Sequence, residues 1–198
     1  MTGTQEIQIT AEPQLDNRSC LFRVDRSLYL GTLYTSDRDF AREHAPLIHA
    51  VFEVDENIQG VQVRHGELLV TLRQPPEDWR PLARAIGAAI RAHLQANQPV
   101  IAEDAPEHLQ GSDLLRWKAQ QVIDTQLNPA LAAHGGFVEI ARNEGNDLFI
   151  TMGGGCQGCG SAVATLRQGV EVALREAVPE LGAIHDVTDH AAGLNPYM

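Results

Sequence analysis

Cysteine is scarce in this 198-residue chain, which contains three. An odd count in a chain of this length does not suit a disulfide-stapled secreted domain and fits a reducing compartment better. Aromatic residues are also few, at 5% of the chain, so its cores must be built mainly from aliphatic side chains. Hydrophobic residues still make up 43%, which excludes a disordered chain and is typical of a globular protein.

Positive charge and long apolar runs are lacking as well. Fifteen Lys and Arg stand against 26 Asp and Glu, for a formal net charge of −11, and no stretch gathers a basic patch. Such a surface repels phosphate backbones, so nucleic acid and anionic membranes are poor partners. No apolar stretch approaches the roughly 18–20 residues that span a bilayer. The polar sequence MTGTQEIQITAEPQ at the N-terminus does not resemble a signal peptide, so we expect a cytoplasmic protein.

A stretch with acidic residues and prolines divides the chain. The sequence QANQPVIAEDAPEHLQGSD follows no period of two or of 3.6, which is typical of a linker. We predict a first domain over residues 1–97, a linker over 98–112 and a second domain over 113–198. Each unit mixes helical and strand patterns, so the expected fold class is α+β, with two small α/β domains.

The first unit shows two strand signals and two helical ones. The sequence CLFRVDRSLYL predicts a strand, and two alternating runs that meet at His65-Gly66 predict a β-hairpin. A helical stretch covers DFAREHAPLIHAVFEV, and Pro46 is expected to begin its second part. Asp78 is expected to cap a further helix, in which apolar residues recur every four positions from Leu82 to Leu94.

The pattern of the second unit predicts the order α-β-β-α-β. Its first helix should end at Gly135 or Gly136, either of which can adopt a left-handed C-cap. The strands FVEIAR and DLFITM follow, joined across NEGN. After a cysteine loop comes a helix that Pro179 ends, and AIHDVTD is a final strand.

The loop sequence MGGGCQGCGSAVATL holds Cys156 and Cys159, two residues apart. Its glycines allow a tight turn, and a helix is expected to start at about Ser161. Both thiols would then lie at or just before a helix N-terminus, where the helix dipole favours negative charge and lowers the thiol pKa. The setting favours thiolates, the form that binds soft metals.

Four interpretations of this cysteine pair are open on the residues alone. A thioredoxin-like dithiol also places C-x-x-C between a strand and a helix, although that motif belongs to a βαβ unit and here a hairpin precedes it. A structural zinc site needs four ligands, and a second pair is absent unless His185 and His190 supply it. Two apolar core thiols fit poorly in a loop with four glycines. The fourth interpretation is an iron–sulfur cluster.

An iron–sulfur cluster usually takes four thiolates, and this motif supplies two. Cys20 in the other unit would raise the count only to three. The simplest closure is a two-fold dimer in which each chain donates Cys156 and Cys159. A cluster held between subunits beside glycine-rich loops would be exposed and readily lost, which suits a carrier better than an electron-transfer centre.

Three sequences in the second unit, LNPALAAHGGFVEI, MGGGCQGCGSAVATLRQGVEVAL and DVTDHAAGLNPYM, together resemble the C-terminal domain of Nfu-type (NifU-like) iron–sulfur proteins. The resemblance covers about residues 114–198. The first unit resembles the Nfu N-terminal domain through APLIHAVFEVDENIQGVQVRHGELLVTL and Asp78-Trp79. It departs from that domain at EPQLDNRS, where the family tends to show Thr-Pro-Asn-Pro-Asn.

This resemblance implies a carrier or late-acting scaffold rather than an enzyme. Such a protein binds a [4Fe–4S] cluster, in preference to a [2Fe–2S] cluster, across a homodimer through the equivalents of Cys156 and Cys159. Upstream assembly proteins would load the cluster, and apo iron–sulfur proteins would receive it by ligand exchange. The first unit would help to recognise these partners.

The remaining candidate ligands have simpler structural explanations. Cys20 stands beside Leu21 and Phe22 and is predicted to pack in the core. His134 is expected at a helix end, where a cationic or polar side chain suits the dipole. His185 is expected on an exposed strand face, and His190 lies in the C-terminal tail.

Overall fold

The first unit is built on an antiparallel sheet of five strands. In the computed structural model, which describes residues 6–133, 135–154 and 160–188, these strands lie in the order β1-β2-β5-β4-β3. Their bounds are β1 (Ile9–Pro13), β2 (Ser19–Val24), β3 (Tyr29–Thr35), β4 (Ile58–His65) and β5 (Glu67–Leu72). The hairpin predicted at His65-Gly66 is confirmed as the β4–β5 turn, where His65 takes a positive φ of 50°.

The described part of this unit contains four helices: α1 (Arg38–His44), α2 (Pro46–Phe52), α3 (Trp79–Gln95) and α4 (Ala105–His108). The predicted break at Pro46 is confirmed, since α2 begins there. Asp78 caps α3 as expected, because its Oδ1 accepts a hydrogen bond from the Arg80 amide at 2.9 Å. Ile86 and Ile90 of the predicted stripe are fully buried.

The single strand predicted over CLFRVDRSLYL is wrong in extent. The chain leaves β2 at Val24 and begins β3 only at Tyr29. The two strands pair on opposite sides of the central hairpin, β2 with β5 and β3 with β4, so the chain must cross between them. Strand β1 was not predicted from the sequence. It is an edge strand that ends in Pro13, and a proline is tolerated at a sheet edge.

The boundary between two compact units falls after Leu109, inside the stretch predicted as a linker. The first part of that stretch is not loose chain. The Leu47 amide donates to the Val100 carbonyl at 3.2 Å, and the Ala102 amide donates to the His44 carbonyl at 2.8 Å. Ala105 is fully buried. These contacts attach residues 98–109 to the first unit. The domain limits of 1–97 and 113–198 stay a prediction.

A three-stranded sheet covered by helices forms the second unit. Its strands are β6 (Gly136–Glu144), β7 (Asp147–Gly154) and β8 (Ile184–Asp186), in that spatial order. Its helices are α5 (Gly111–Val122), α6 (Asn128–Ala132) and α7 (Gly160–Ala177). Strands β6 and β7 are antiparallel, whereas β8 runs parallel to β7. The predicted order α-β-β-α-β is confirmed, with α5 and α6 as one interrupted helical stretch.

The helices pack on the sheet through an aliphatic core, as the low aromatic content predicts. Its members alternate along β6 and β7 and line one face of α5 and α7. The fully or almost fully buried ones include Ile123, Val138, Leu148, Ile150, Met152, Val170 and Leu174. No helix among the described residues combines the length and the apolar character needed to cross a membrane.

Between α5 and α6 the helix widens into one π-helical turn over Ile123–Leu127. The Asn128 amide donates to the Ile123 carbonyl, five residues earlier. Pro129 follows and has no amide hydrogen to continue the regular ladder. Helix α6 ends at Ala132 with Ala133 as its C-cap residue. The predicted left-handed glycine is found two residues later, since Gly135 has a φ of 68°.

Candidate functional site

The two predicted ligands, Cys156 and Cys159, lie outside the described residues, but the elements on either side of them are defined. Strand β7 ends at Gly154, and α7 begins at Gly160, directly after Cys159 and one residue before the predicted start. The cysteine loop therefore connects the end of a strand with the N-terminus of an 18-residue helix. Unpaired amides and the dipole at that end favour thiolates over thiols.

Strand β7 ends in two glycines, Gly153 and Gly154, at positions where a side chain would collide with the neighbouring strand β6 or the residue before it. Gly154 lies opposite Gly136 in the β6–β7 register and has a φ of 67°. A Cβ atom at Gly154 would collide with the Gly135 carbonyl oxygen, and one at Gly153 would collide with the Phe137 ring. The backbone of the HGGF segment therefore occupies the place that a side chain at Gly154 would need, so this position requires glycine.

The last strand fixes β7 from its other side. The Met152 amide donates to Thr188 Oγ1 at 2.8 Å, and the Val187 amide donates to the Ile150 carbonyl at 2.9 Å. Asp186 holds Thr188 in place, since its Oδ1 accepts from the Thr188 amide at 2.9 Å. The end of β7, which leads into the cysteine loop, is therefore held on both sides. Strand β6 pairs with it on one side, and residues 186–188 bond to it on the other.

Asn128 is a positioning residue that the sequence analysis did not identify. Its Nδ2 donates to the Val138 carbonyl at 3.0 Å, and its Oδ1 accepts from the Val138 amide at 2.8 Å. The amide side chain thus replaces a neighbouring strand at the open edge of β6. The Asn-Pro pair within LNPALAAHGG was the available signal, because Asn before a turn-forming residue often bonds backbone groups.

Of the histidines named from the sequence as candidate ligands, His185 is the one that lies among the described residues. His185 lies on the exposed sheet face, as predicted, with 45% of its side chain exposed. Its ring stacks on Phe149 at 4.6 Å, and its Nε2 lies 3.9 Å from Asp147 Oδ2. His134 and His190 fall outside the described residues.

Cys20 packs in the core of the first unit, as predicted. It is fully buried in β2, and burial raises the pKa of its thiol to about 11. A raised pKa keeps the thiol protonated and unreactive at neutral pH.

We expect iodoacetamide at pH 7.5 to modify Cys20 only after unfolding, because the buried thiol is neither accessible nor ionised. Mass spectrometry of the apo chain should find Cys156 and Cys159 alkylated under native conditions and Cys20 alkylated only in denaturant. Alkylation of native Cys20 at a similar rate would contradict its assignment to the core.

A groove on the first unit is the other surface feature of note. It has a volume of about 550 Å³ and lies between the edge strand β1 and α3. Apolar side chains form its floor, Phe22 and Trp79 among them, and three arginines line it: Arg80, Arg84 and Arg91. Among the described residues no acidic side chain lines it, although the chain has a net charge of −11.

Comparison with known proteins places a family on the second unit. Residues 119–185 match the family model of the NifU-like domain. A Fe/S biogenesis protein NfuA from Ruthia magnifica is 44% identical over 97 residues, which cover 48% of this chain and 46% of that protein. A Fe/S biogenesis protein NfuA from Teredinibacter turnerae is 40% identical over 121 residues, covering 61% of this chain and 58% of that protein. The chain thus spans about half the length of the curated relatives it matches.

A solved structure is also similar in part. The solution structure of a NifU-like protein from Saccharomyces cerevisiae covers 52% of this chain and 91% of its own, at 14% identity and a TM-score of 0.45. At that TM-score the likeness carries no weight for the fold.

Proposed function

We propose, from the premise that this chain is an Nfu-type protein with a NifU-like domain over residues 119–185, that it binds an iron–sulfur cluster and delivers it to apo-proteins. In this proposal Cys156 and Cys159 of two chains hold one [4Fe–4S] cluster across a homodimer. The cluster is cargo, and no substrate bond is made or broken. The chain is then a carrier in iron–sulfur cluster biogenesis and not an enzyme.

The observation that carries the proposal is the match of the NifU-like domain across the whole strand–loop–helix segment that contains both cysteines. The surroundings of the loop fit that cargo. The helix N-terminus at Gly160 favours thiolates, and Gly153 and Gly154 keep side chains away from the approach to the loop. Two thiolates per chain leave a four-iron cluster incomplete, so a second chain has to supply the other two.

Delivery by ligand exchange follows from the same arrangement. A cluster that two chains share is released when acceptor thiolates replace its four ligands one at a time. Each chain contributes only two bonds, so no single protein chain encloses the cluster. A reducing compartment such as the cytoplasm keeps the loop thiols available for this exchange.

One observation favours a second candidate, a dithiol–disulfide oxidoreductase. The hairpin β6–β7 precedes the motif, as the sequence predicted, but β7, α7 and the parallel strand β8 also form a βαβ crossover. The C-x-x-C pair therefore lies between the strand and the helix of such a unit, as redox dithiols do. The two functions differ in cargo and are separated by one experiment.

That experiment is anaerobic reconstitution of the full chain with ferrous iron and sulfide, followed by iron and sulfide analysis and sizing. The carrier predicts a brown dimer with roughly two irons and two sulfides per chain, which corresponds to one shared four-iron cluster. A colourless monomer that takes up no iron and cycles one intrachain disulfide would overturn the carrier and leave the oxidoreductase.

For the first unit, we propose docking of an acidic, extended segment of an acceptor protein in the groove between β1 and α3. Charge complementarity supports this occupant, since Arg80, Arg84 and Arg91 line the groove and no carboxylate does. Arg80 already pairs with Asp78 at 3.0 Å, and Arg91 donates to the Ile7 carbonyl at 3.3 Å. Arg84 is exposed, so it is the cation best placed to meet a partner.

We expect Arg84→Glu to slow cluster transfer to an apo [4Fe–4S] enzyme from the same cell by about tenfold, because like charges would meet in the groove. Gly87→Leu should also slow transfer, since a Cβ atom there meets open space and a larger side chain fills the groove. Arg42→Glu is the matched control, because it makes the same charge change on α1, outside the groove.

All three variants should load cluster normally. Transfer rates that fall equally in Arg84→Glu and Arg42→Glu would show a general charge effect and contradict docking in the groove. A Gly87→Leu chain that loads and transfers at the original rate would contradict it as well.

A further inference from the structure

Three potential metal ligands meet in the first unit, on residues outside both the cysteine loop and the segment 119–185 that the NifU-like family model matches. The ligand atoms of His44, Asp104 and His108 all lie within 4.8 Å of one another. His108 Nε2 is 3.3 Å from Asp104 Oδ2. Among the described residues, no other group of three or more His, Cys, Asp or Glu side chains comes together in this way.

Backbone pairing holds the two parts of this cluster together. His44 is the last residue of α1, and its carbonyl accepts from the Ala102 amide at 2.8 Å. Asp104 and His108 lie four residues apart at the two ends of the short helix α4, a spacing that places both side chains on one face. The fully buried Ala105 fixes α4 against the unit. The three side chains are therefore brought together by tertiary structure and not by chance contact of long, mobile chains.

The stacking of the two imidazoles also needs an explanation. The His44 and His108 rings lie 4.0 Å apart with planes only 6° from parallel. Their side chains keep part of their surface exposed, 21% for His44 and 46% for His108. A second carboxylate, Glu43, lies beside this cluster, with its Oε2 3.8 Å from His44 Nε2. Imidazole nitrogens with carboxylate oxygens are a donor set that suits Zn²⁺.

We infer that His44, Asp104 and His108 form a binding site for a divalent transition-metal ion, Zn²⁺ above all, with Glu43 within reach as a fourth ligand. An ion lies in the plane of each imidazole that binds it, so binding turns one ring out of the present stack. The bound ion ties α1 to α4 and thereby fastens residues 98–109 to the first unit. This site takes an ion independently of the cluster carried by the cysteine loop.

The test is Zn²⁺ binding by calorimetry to the full chain in the Cys156→Ser/Cys159→Ser background, with any polyhistidine tag removed. That background takes the loop thiols out of the measurement. We expect one Zn²⁺ per chain at micromolar Zn²⁺, a rise of the thermal unfolding midpoint, and shifted ring signals of His44 and His108 in NMR spectra. His44→Ala and His108→Ala should each weaken binding at least about tenfold, since even outer partners of metal ligands cost that much.

Two further variants make the result decisive. Asp104→Asn removes the charge without removing a helix cap, because the Asp104 side chain makes no capping hydrogen bond, so it should fold and bind Zn²⁺ more weakly. His185→Ala is the matched control, since His185 is similarly exposed and faces one carboxylate, Asp147. No Zn²⁺ uptake, or uptake that His44→Ala, His108→Ala and Asp104→Asn leave unchanged, would overturn the site. Equal loss in His185→Ala would also overturn it.

Discussion

Cys156→Ala and Cys159→Ala are each expected to abolish cluster loading, from roughly two irons per chain to none. In the proposed dimer, each substitution removes two of the four thiolates, because both chains carry it. The fold should persist, since the core that the described residues of the second unit form is aliphatic and is built from its helices and strands. Iron and sulfide analysis after anaerobic reconstitution measures the loss, and far-ultraviolet circular dichroism checks the fold.

Cys20→Ala is the matched control for these variants. It also removes one thiol per chain, but from a fully buried position in β2. We expect it to lower the free energy of unfolding by about 1 kcal/mol through lost burial and to leave loading unchanged. Iron uptake that survives in Cys156→Ala or Cys159→Ala would contradict the proposed ligands, whereas loss of uptake in Cys20→Ala would add a ligand from the first unit.

Gly154→Ala is expected to destabilise the second unit by about 2 kcal/mol or more and to lower loading with it. Two effects lower the free energy of unfolding at this position. The φ of 67° is unfavourable for any residue with a Cβ atom, and that atom would collide with the Gly135 carbonyl oxygen. The end of β7 would have to separate from β6 to relieve the collision, and the cysteine loop begins there. Hydrogen exchange at β6 and β7 amides measures the loss of protection.

Gly145→Ala is the control that separates the effect of the positive φ from the effect of the collision. Gly145 has a similar φ of 56° in the β6–β7 turn, but a Cβ atom there meets open space. We expect it to cost only about 1 kcal/mol and to leave loading unchanged. If Gly154→Ala and Gly145→Ala behave alike, then the close approach of Gly135 to Gly154 has no role in holding the loop.

Local signals in the sequence were strong enough to predict much of the fold. Asp78 before an apolar four-residue repeat predicted a capped helix, and Pro46 predicted a helix start. The pair Gly135-Gly136 predicted a left-handed residue after a helix. Each of these depends on the backbone chemistry of one residue and its near neighbours, so no distant part of the chain was needed. The same holds for the cysteine loop, since thiol spacing, glycines and an adjoining helix are all adjacent in sequence.

Other features could not be predicted in this way, because the residues with which a strand or loop pairs lie far away along the chain. The stretch CLFRVDRSLYL has one continuous strand-like pattern, yet β2 and β3 pair on opposite sides of the β4–β5 hairpin. Residues 98–109 likewise include polar residues and prolines, yet the backbone groups of Val100 and Ala102 bond to α2 and α1. The composition of a segment indicates whether it favours a strand, a helix or a loop. Which distant residues pair with its backbone N–H and C=O groups depends on the tertiary structure.

The sequence by itself therefore determined the α+β class, the order of elements in the second unit and the cysteine pair as the candidate cluster ligands, because these follow from neighbouring residues. Tertiary structure alone decided how Gly154 meets Gly135, how Asn128 and Thr188 hold the sheet, and how His44 meets Asp104 and His108. These contacts join residues that lie far apart in sequence, and only packing of a common core brings such residues within reach of one another.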